Sequence, residues 1–388
     1  MNLYQKMQTL LDDRKSIGQL RSIVSKKQIG NYIYLDGEKY LNLSSNDYLG
    51  LACDTKLTEE FLSTVSPKTI RLSSSGSPLL TGAQESYAKA QSKIEQLFSK
   101  KALFFNSGFA ANSGVIAALA TKDTLILADK LAHASIINGM QNAQGKALRF
   151  AHNDYEHLEK LITQYYEEYD QIIVVTEAIF SMDGDKCDLD KLVALKKRFD
   201  KVYLYVDEAH SFGLYNDNGA GLCASLGYVK DVDFILTTFG KALGSQGAAL
   251  ICNEVAREYF INVTRELIFS TALSPLSFEH NAFMLDYVQK CQDRRQRLNK
   301  ICEYLHQEIT EAGLLNMSCS QIIPLLTFTN EKALLAYEFF KQRKIYAMPI
   351  RHPTVPKGRA RLRLSITASL SDLQVEEISS AIKALKLD

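Results

Sequence analysis

One lysine stands in a segment built to remove its charge from water. Lys241 lies between the apolar runs Phe234–Leu236 and Ala248–Ile251, among Gly240, Gly244 and Gly247. A desolvated amine loses its proton more readily and can attack a carbonyl to form a Schiff base. The glycines would let backbone approach a ligand, and the hydroxyls of Thr237 and Thr238 could hold a phosphate. The bland alternative is a solvated lysine following a strand. A second cluster, Asp207-x-x-His210, precedes it by one apolar run. Together these are the parts that a pyridine-type electron-sink cofactor needs: a carboxylate for the ring nitrogen, an amine for the aldehyde, and donors for the phosphate.

Other chemistries are less well served. Asp207 and His210 could be a metal pair, but there is no H-E-x-x-H and no cysteine cluster to complete a site, so no metal is expected. Ile235 stands where the first glycine of a P-loop would precede Gly240-Lys241, and Gly240, Gly244 and Gly247 do not fit G-x-G-x-x-G. His152 and His157 read as part of a polar loop rather than as ligands.

The elements that must position these residues follow a rhythm. Apolar runs at Leu103–Phe105, Leu125–Leu127, Ile172–Val175, Val202–Val206 and Phe234–Thr237 alternate with helical patterns, which predicts an α/β fold with a mainly parallel sheet covered by helices. In such sheets ligands bind beyond the carboxyl ends of the strands. Each run is followed there by polar residues: Ser107-Gly108 opening a helix, His133, Ser181, Asp207 with His210, and Thr238 with Lys241. Free N–H groups at the start of the helix after Ser107 could bind a phosphate; a simple helix cap is the alternative. Before this region, Leu3, Met7, Leu10 and Leu11 predict a short amphipathic helix. Tyr32–Leu35, Asp36-Gly37 and Tyr40–Leu43 predict a hairpin. Arg71–Gly82, rich in serine and glycine, reads as a loop that wraps something. After Pro275 come long helices, short strands near Ile322–Phe328, Ile345–Ile350 and Ala360–Ile366, and a last helix signalled by Ser371-x-x-Gln374. The expected organisation is an N-terminal arm and hairpin (1–45), a large cofactor-binding domain (46–275) and a smaller α+β domain (276–388).

Bulk composition narrows the partners. Lys+Arg number 45 against 44 Asp+Glu over 388 residues, so a net charge of +1 gives no field to attract nucleic acid or an anionic membrane. No apolar run reaches the ~18 residues of a membrane span, and Met1–Lys6 lacks the order of a signal peptide, so a cytoplasmic protein is expected. The seven scattered cysteines contain no C-x-x-C pair and read as reduced thiols.

Taken in order, Leu43–Gly50, Ser107–Asn112, Phe180–Asp185, Asp207–His210, Thr238–Lys241, Ile268–Thr271 and Ile350–Pro356 resemble the α-oxoamine synthases over nearly the whole chain. These are fold-type I pyridoxal 5'-phosphate enzymes with a seven-stranded type of sheet, which join an amino acid to an acyl thioester and release carbon dioxide. The resemblance is strongest to the branch that makes 8-amino-7-oxononanoate, for biotin, from L-alanine and pimeloyl-CoA or pimeloyl-acyl carrier protein. It implies that Lys241 holds the cofactor aldehyde, that Asp207 pairs with the ring nitrogen, and that His210 and Ser181 lie near the ring hydroxyl. His133 would stack on the ring. Ser107, Gly108, Phe109 and Thr238 would hold the phosphate, with Thr271 arriving from the second subunit of a homodimer. Arg363 would bind the amino-acid carboxylate with Asn46 nearby, and Arg21 and Arg351 are expected toward the far end of the acyl chain. Ser77-Pro78-Leu79 stands where glycine-using relatives show Thr-Arg-Asn, which favours alanine. The rivals are another α-oxoamine synthase, such as 2-amino-3-ketobutyrate CoA ligase, and a non-catalytic binding subunit of the same fold.

Overall fold

Strands that are apolar on both faces need cover on both faces, and the chain provides it. The computed structural model describes residues 1–386; the last two residues of the predicted 276–388 unit lie outside them. Its central sheet has seven strands in the order Lys101–Phe105, Ala248–Cys252, Phe234–Thr238, Val202–Asp207, Gln171–Glu177, Thr124–Asp129 and Lys146–Phe150. Successive side chains of a strand point to opposite faces. Accordingly Leu125, Leu127, Ile172, Val174, Leu204 and Val206 pack into one core, and Ile126, Ala128, Ile173, Val175 and Tyr205 into a second.

Five of the strands are the predicted runs. Ala248–Cys252 is also one of the apolar runs, but it lies antiparallel between Phe234–Thr238 and Lys101–Phe105. That arrangement leaves its two neighbours parallel to the rest, so all their carboxyl ends reach one edge. Ala248 pairs with both Phe105 and Thr238, which brings the turn at Ser107 level with Thr238. The edge strand Lys146–Phe150 went unpredicted because only Phe150 in Lys-Ala-Leu-Arg-Phe is buried, and the segment shows no apolar run.

The predicted hairpin forms as Tyr32–Leu35 and Glu38–Asn42, with Asp36 and Gly37 both at positive φ. It does not stand apart from the C-terminal region: Leu41 pairs in parallel with Ile345, and the Ser365 N–H donates to the Leu43 carbonyl at 2.8 Å. The expected strand Ile345–Ile350 divides at Ala347. Ile345–Tyr346 joins the hairpin, whereas Met348–Ile350 pairs with Ala360–Ser365, which in turn pairs with Ile322–Phe328. The last helix, Asp372–Ala384, opens with the Ser371–Gln374 capping box. The first, Leu3–Ser16, buries no residue, and Leu3, Tyr4, Met7, Leu10 and Leu11 all remain exposed.

The large sheet and the C-terminal sheet meet at the loop after Gln171–Glu177. Gly184 sits there at φ +71°, and a Cβ on it would overlap the Ile322 carbonyl oxygen and the Ser318 side chain. Gly184→Ala is therefore expected to lower unfolding free energy by roughly 2–4 kcal/mol, through both strain and overlap. Urea denaturation checks this, and an unchanged midpoint would show that the junction yields freely.

Candidate active site

At the carboxyl edge of the sheet the amine of Lys241 lies 2.8 Å from His210 Nε2. The opposite ring nitrogen, Nδ1, is 2.7 Å from the Tyr48 hydroxyl, which donates to Asn46 Oδ1 at 3.0 Å. Arg363 reaches the same Asn46 oxygen at 3.3 Å and 3.4 Å, and its Nε donates to the Ser181 carbonyl at 2.7 Å. With Tyr48 donating to Asn46, its oxygen accepts from His210 Nδ1–H, and the ring's Nε2 accepts from Lys241. One chain of hydrogen bonds thus joins residues far apart in sequence.

Burial pulls the Lys241 pKa down to about 8 against the attraction of Asp207 and Glu177, so the amine carries its proton far less firmly than a solvated lysine. Burial also pushes His210 well below the usual imidazole range, assisted by Lys241, Arg363 and His133, which keeps it neutral. His133 is lowered by burial too. Its Nδ1 accepts the Ser135 N–H at 3.2 Å and lies 2.7 Å from the Ser135 hydroxyl, leaving Nε2 as the protonated nitrogen.

Asp207, at the end of Val202–Asp207, accepts the Ala209 N–H at 2.9 Å and the Asn112 amide at 2.8 Å. Asn112 is itself held by the Tyr205 hydroxyl at 2.8 Å and reaches Ser135 at 2.9 Å. Asp207 and His210 thus engage different partners. Beside Asp207 in the sheet lies Glu177, buried, with its Oε1 lacking a hydrogen-bond partner. Burial and the neighbouring Asp207 raise the Glu177 pKa well above the usual carboxylic range.

Ser107 caps the helix Gly108–Leu119, accepting the Ala110 N–H at 3.1 Å. The N–H groups of Gly108 and Phe109, in the first turn, have no intrahelical acceptor. A Cβ on Gly108 would come 3.8 Å from Thr238, so the helix start and Thr238 face one another closely. Donor, lysine and carboxylate therefore occupy one strand edge, and this set fits a phosphorylated pyridine aldehyde: first-turn N–H groups for the phosphate, an amine of reduced proton affinity for the aldehyde, and a carboxylate held by two N–H donors for the ring nitrogen.

Not every predicted residue joins this group. Arg21 donates to the Thr354 hydroxyl at 3.0 Å and Arg351 to the Gly18 carbonyl at 2.6 Å, so these two pin the N-terminal arm to the 351–354 turn. The Thr271 carbonyl accepts from Asn106 Nδ2 at 2.8 Å, one residue before Ser107. The Ser77–Gly82 turn packs there as well, with Ala272 N–H donating to the Gly76 carbonyl at 3.0 Å.

The chain is matched over residues 38–382 by the model of the aminotransferase class I and II family. It belongs to that family. A protein of Glaesserella parasuis serovar 5, provisionally named 8-amino-7-oxononanoate synthase, is 44% identical over 96% of this chain and 98% of its own length. One of Pasteurella multocida with the same provisional name is 43% identical over 98% of both. Among solved structures, a serine palmitoyltransferase of Sphingomonas wittichii superposes with a TM-score of 0.91 at 27% identity, covering 99% of this chain and 98% of its own. A structure of SPT with pyridoxal 5'-phosphate as an internal aldimine gives 0.91 at 25% identity over the same shares. The 8-amino-7-oxononanoate synthase of Francisella tularensis gives 0.76 at 26% identity, over 89% of this chain and 97% of its own. This family member is a fold-type I enzyme of the α-oxoamine synthase group, and its cofactor is pyridoxal 5'-phosphate.

Sequence reasoning left three members of the cluster without a role: Tyr48, Asn112 and Glu177. Tyr48 and Asn112 lie inside motifs that carry the family resemblance, Leu43–Gly50 and Ser107–Asn112. Glu177 ends an apolar strand, and a carboxyl facing the ligand edge was the available signal.

An amine attacks an aldehyde only without its proton, and below its pKa the neutral fraction falls tenfold per pH unit. The rate at which cofactor-free protein takes up pyridoxal 5'-phosphate should rise with unit slope to about pH 8 and then level. Stopped-flow absorbance measures it; a profile still climbing toward 10.5, the ordinary lysine value, would contradict the buried amine.

Proposed function

We propose that this enzyme condenses L-alanine with a pimeloyl thioester, releasing carbon dioxide and the free thiol carrier, to give 8-amino-7-oxononanoate for biotin synthesis. The observation that carries the reading is full-length similarity, at 43–44% identity, to proteins provisionally given that name. The buried Arg363 beside the Lys241 cluster supports it, because an α-amino acid needs its carboxylate held while its α-carbon reacts.

Bound pyridoxal 5'-phosphate supplies the electron sink that lets an α-carbon give up a proton or a carboxylate. The protein's own groups do the rest. Arg363, aimed by the Ser181 carbonyl, Asn46 and Ser365, grips the alanine carboxylate with its planar fork. Lys241 Nζ takes the α-proton and later returns one to the product carbon, with His210 and Tyr48 holding the amine in place. His133 Nε2–H donates to the acyl carbonyl as charge develops on it. Asp207 would hold the ring nitrogen of the cofactor, with Ser181 and His210 toward its ring hydroxyl. Ser107, Gly108, Phe109 and Thr238 would hold the phosphate, completed by Thr271 from the second copy in a homodimer. Arg21 and Arg351, which tie the N-terminal arm to the 351–354 turn, would lie toward the far end of the acyl chain.

The serine palmitoyltransferase neighbours motivate a second reading, an α-oxoamine synthase with another amino acid and a longer donor. Product formation with alanine, glycine or serine against pimeloyl-, acetyl- and palmitoyl-CoA separates the two. The proposal expects alanine with pimeloyl-CoA to give the highest kcat/KM; serine with palmitoyl-CoA winning would overturn it. Lys241→Ala should lose at least about 10²–10⁴-fold in turnover. Arg363→Lys should raise the KM for alanine about tenfold or more, since lysine cannot pair in a bidentate way. A fully active Lys241→Ala protein would end the catalytic assignment.

A further inference from the structure

The loop histidine His152 was expected to be a bystander, yet both of its ring nitrogens meet carboxylates. Nδ1 lies 2.9 Å from Asp129 Oδ1 and Nε2 lies 2.8 Å from Asp185 Oδ2. Carboxylate oxygens only accept, so both ring nitrogens donate and the ring is an imidazolium. Burial alone would lower its proton affinity, but the hydrogen bonds to Asp129 and Asp185 raise the pKa to about 10.

The two carboxylates belong to different walls of the site. Asp129 ends Thr124–Asp129, four residues before His133, and also accepts the Leu131 N–H at 2.8 Å and the Asn153 N–H at 2.9 Å. Asp185 closes the turn that carries Ser181, where the Phe180 N–H donates to the Asp185 carbonyl at 3.0 Å. The Ser181 carbonyl in turn aims Arg363. Asp129 is wholly buried, and Asp185 Oδ1 is buried without a partner, so the charge of both carboxylates leans on His152, the amides of Asn153 and, for Asp129, the Leu131 N–H. Phe180 presses edge-on against the ring, 4.5 Å between centroids, and fixes its plane.

We propose that His152 is a positioning residue: a charged clasp between Asp129 and Asp185 that holds the loop of His133 and the loop of Ser181 at a fixed separation across the cofactor site. Its effect on the cofactor rests on the placement of His133 and Ser181 proposed above, but not on which amino acid or thioester reacts.

The protein labelled with ¹⁵N-histidine tests the charge directly. In the cofactor-free protein at pH 8.5, about two units above an ordinary imidazole, the His152 resonances, identified by their displacement in Asp185→Asn, should show both nitrogens protonated. The cofactor dissociation constant and its induced circular dichroism test the clasp, with thermal unfolding recorded in parallel. His152→Gln leaves the buried Asp129 carboxylate and the half-buried Asp185 carboxylate without a cation and should weaken cofactor binding about tenfold and alter the dichroism. Adding Asp185→Asn removes one of those charges and should restore binding at least threefold, a coupling that loss of packing alone would not give. A non-protonated ring nitrogen in the wild type, unchanged binding and dichroism in His152→Gln, or additive losses in the double variant would each overturn the proposal. If His152→Gln does not fold, the nitrogen spectrum and the folding of the double variant decide it. Failure of alanine turnover would leave these readouts untouched.

Discussion

Everything at the sheet's carboxyl edge depends on keeping one ammonium group out of water. A buried lysine loses solvation that a salt bridge would normally replace, and here the nearest partner is a neutral histidine instead. Asp207 and Glu177 are near enough to temper the effect without cancelling it, which leaves the amine titrating near 8. An amine so poised is available as a nucleophile and a base at physiological pH, whereas a solvated lysine is almost wholly protonated. The hydrogen bonds from His210 through Tyr48 and Asn46 to Arg363 extend that constraint into a framework.

The framework also explains why the ends of the chain meet. Asn46 and Tyr48 follow the N-terminal hairpin, Lys241 and His210 lie in turns that follow strands of the central sheet, and Arg363 is on the C-terminal sheet. Pairing of Leu41 with Ile345 and of Met348 with Arg363 ties the first and third of these regions together. The buried ion pair of Arg361 with Asp183, at 2.6 Å, ties the third to the second. A charge pair so deeply buried contributes little net stability but is costly to break, so it favours one arrangement of the two sheets over others.

Much of this was legible in the sequence because parallel strands announce themselves as apolar runs and their ligand edge follows from topology. Lys241, Asp207 and His210 could be paired from their spacing alone, since strand ends deliver them to one side. The hairpin followed from Asp36-Gly37 and the last helix from its capping box. Less legible were features set by long-range partners. The antiparallel course of Ala248–Cys252 is invisible to periodicity, and the division of Ile345–Ile350 between two sheets depends on the hairpin it meets. The polar edge strand Lys146–Phe150 lacks the pattern that would betray it. Tyr48 and Asn112 carry no role in the sequence reading because the partners that tie them to the site, His210 and Asp207, lie more than 90 residues away. His152 reads as a polar loop residue because neither of its carboxylates, Asp129 and Asp185, is adjacent in sequence.

The role of the buried amine is tested most directly by the visible absorbance of the purified protein with pyridoxal 5'-phosphate, before and after L-alanine and then pimeloyl-CoA. A band should form in the wild type, be absent from Lys241→Ala, shift on adding alanine and change again with the thioester. A protein that stays colourless, or a Lys241→Ala variant with the same band, would contradict the central role of that amine.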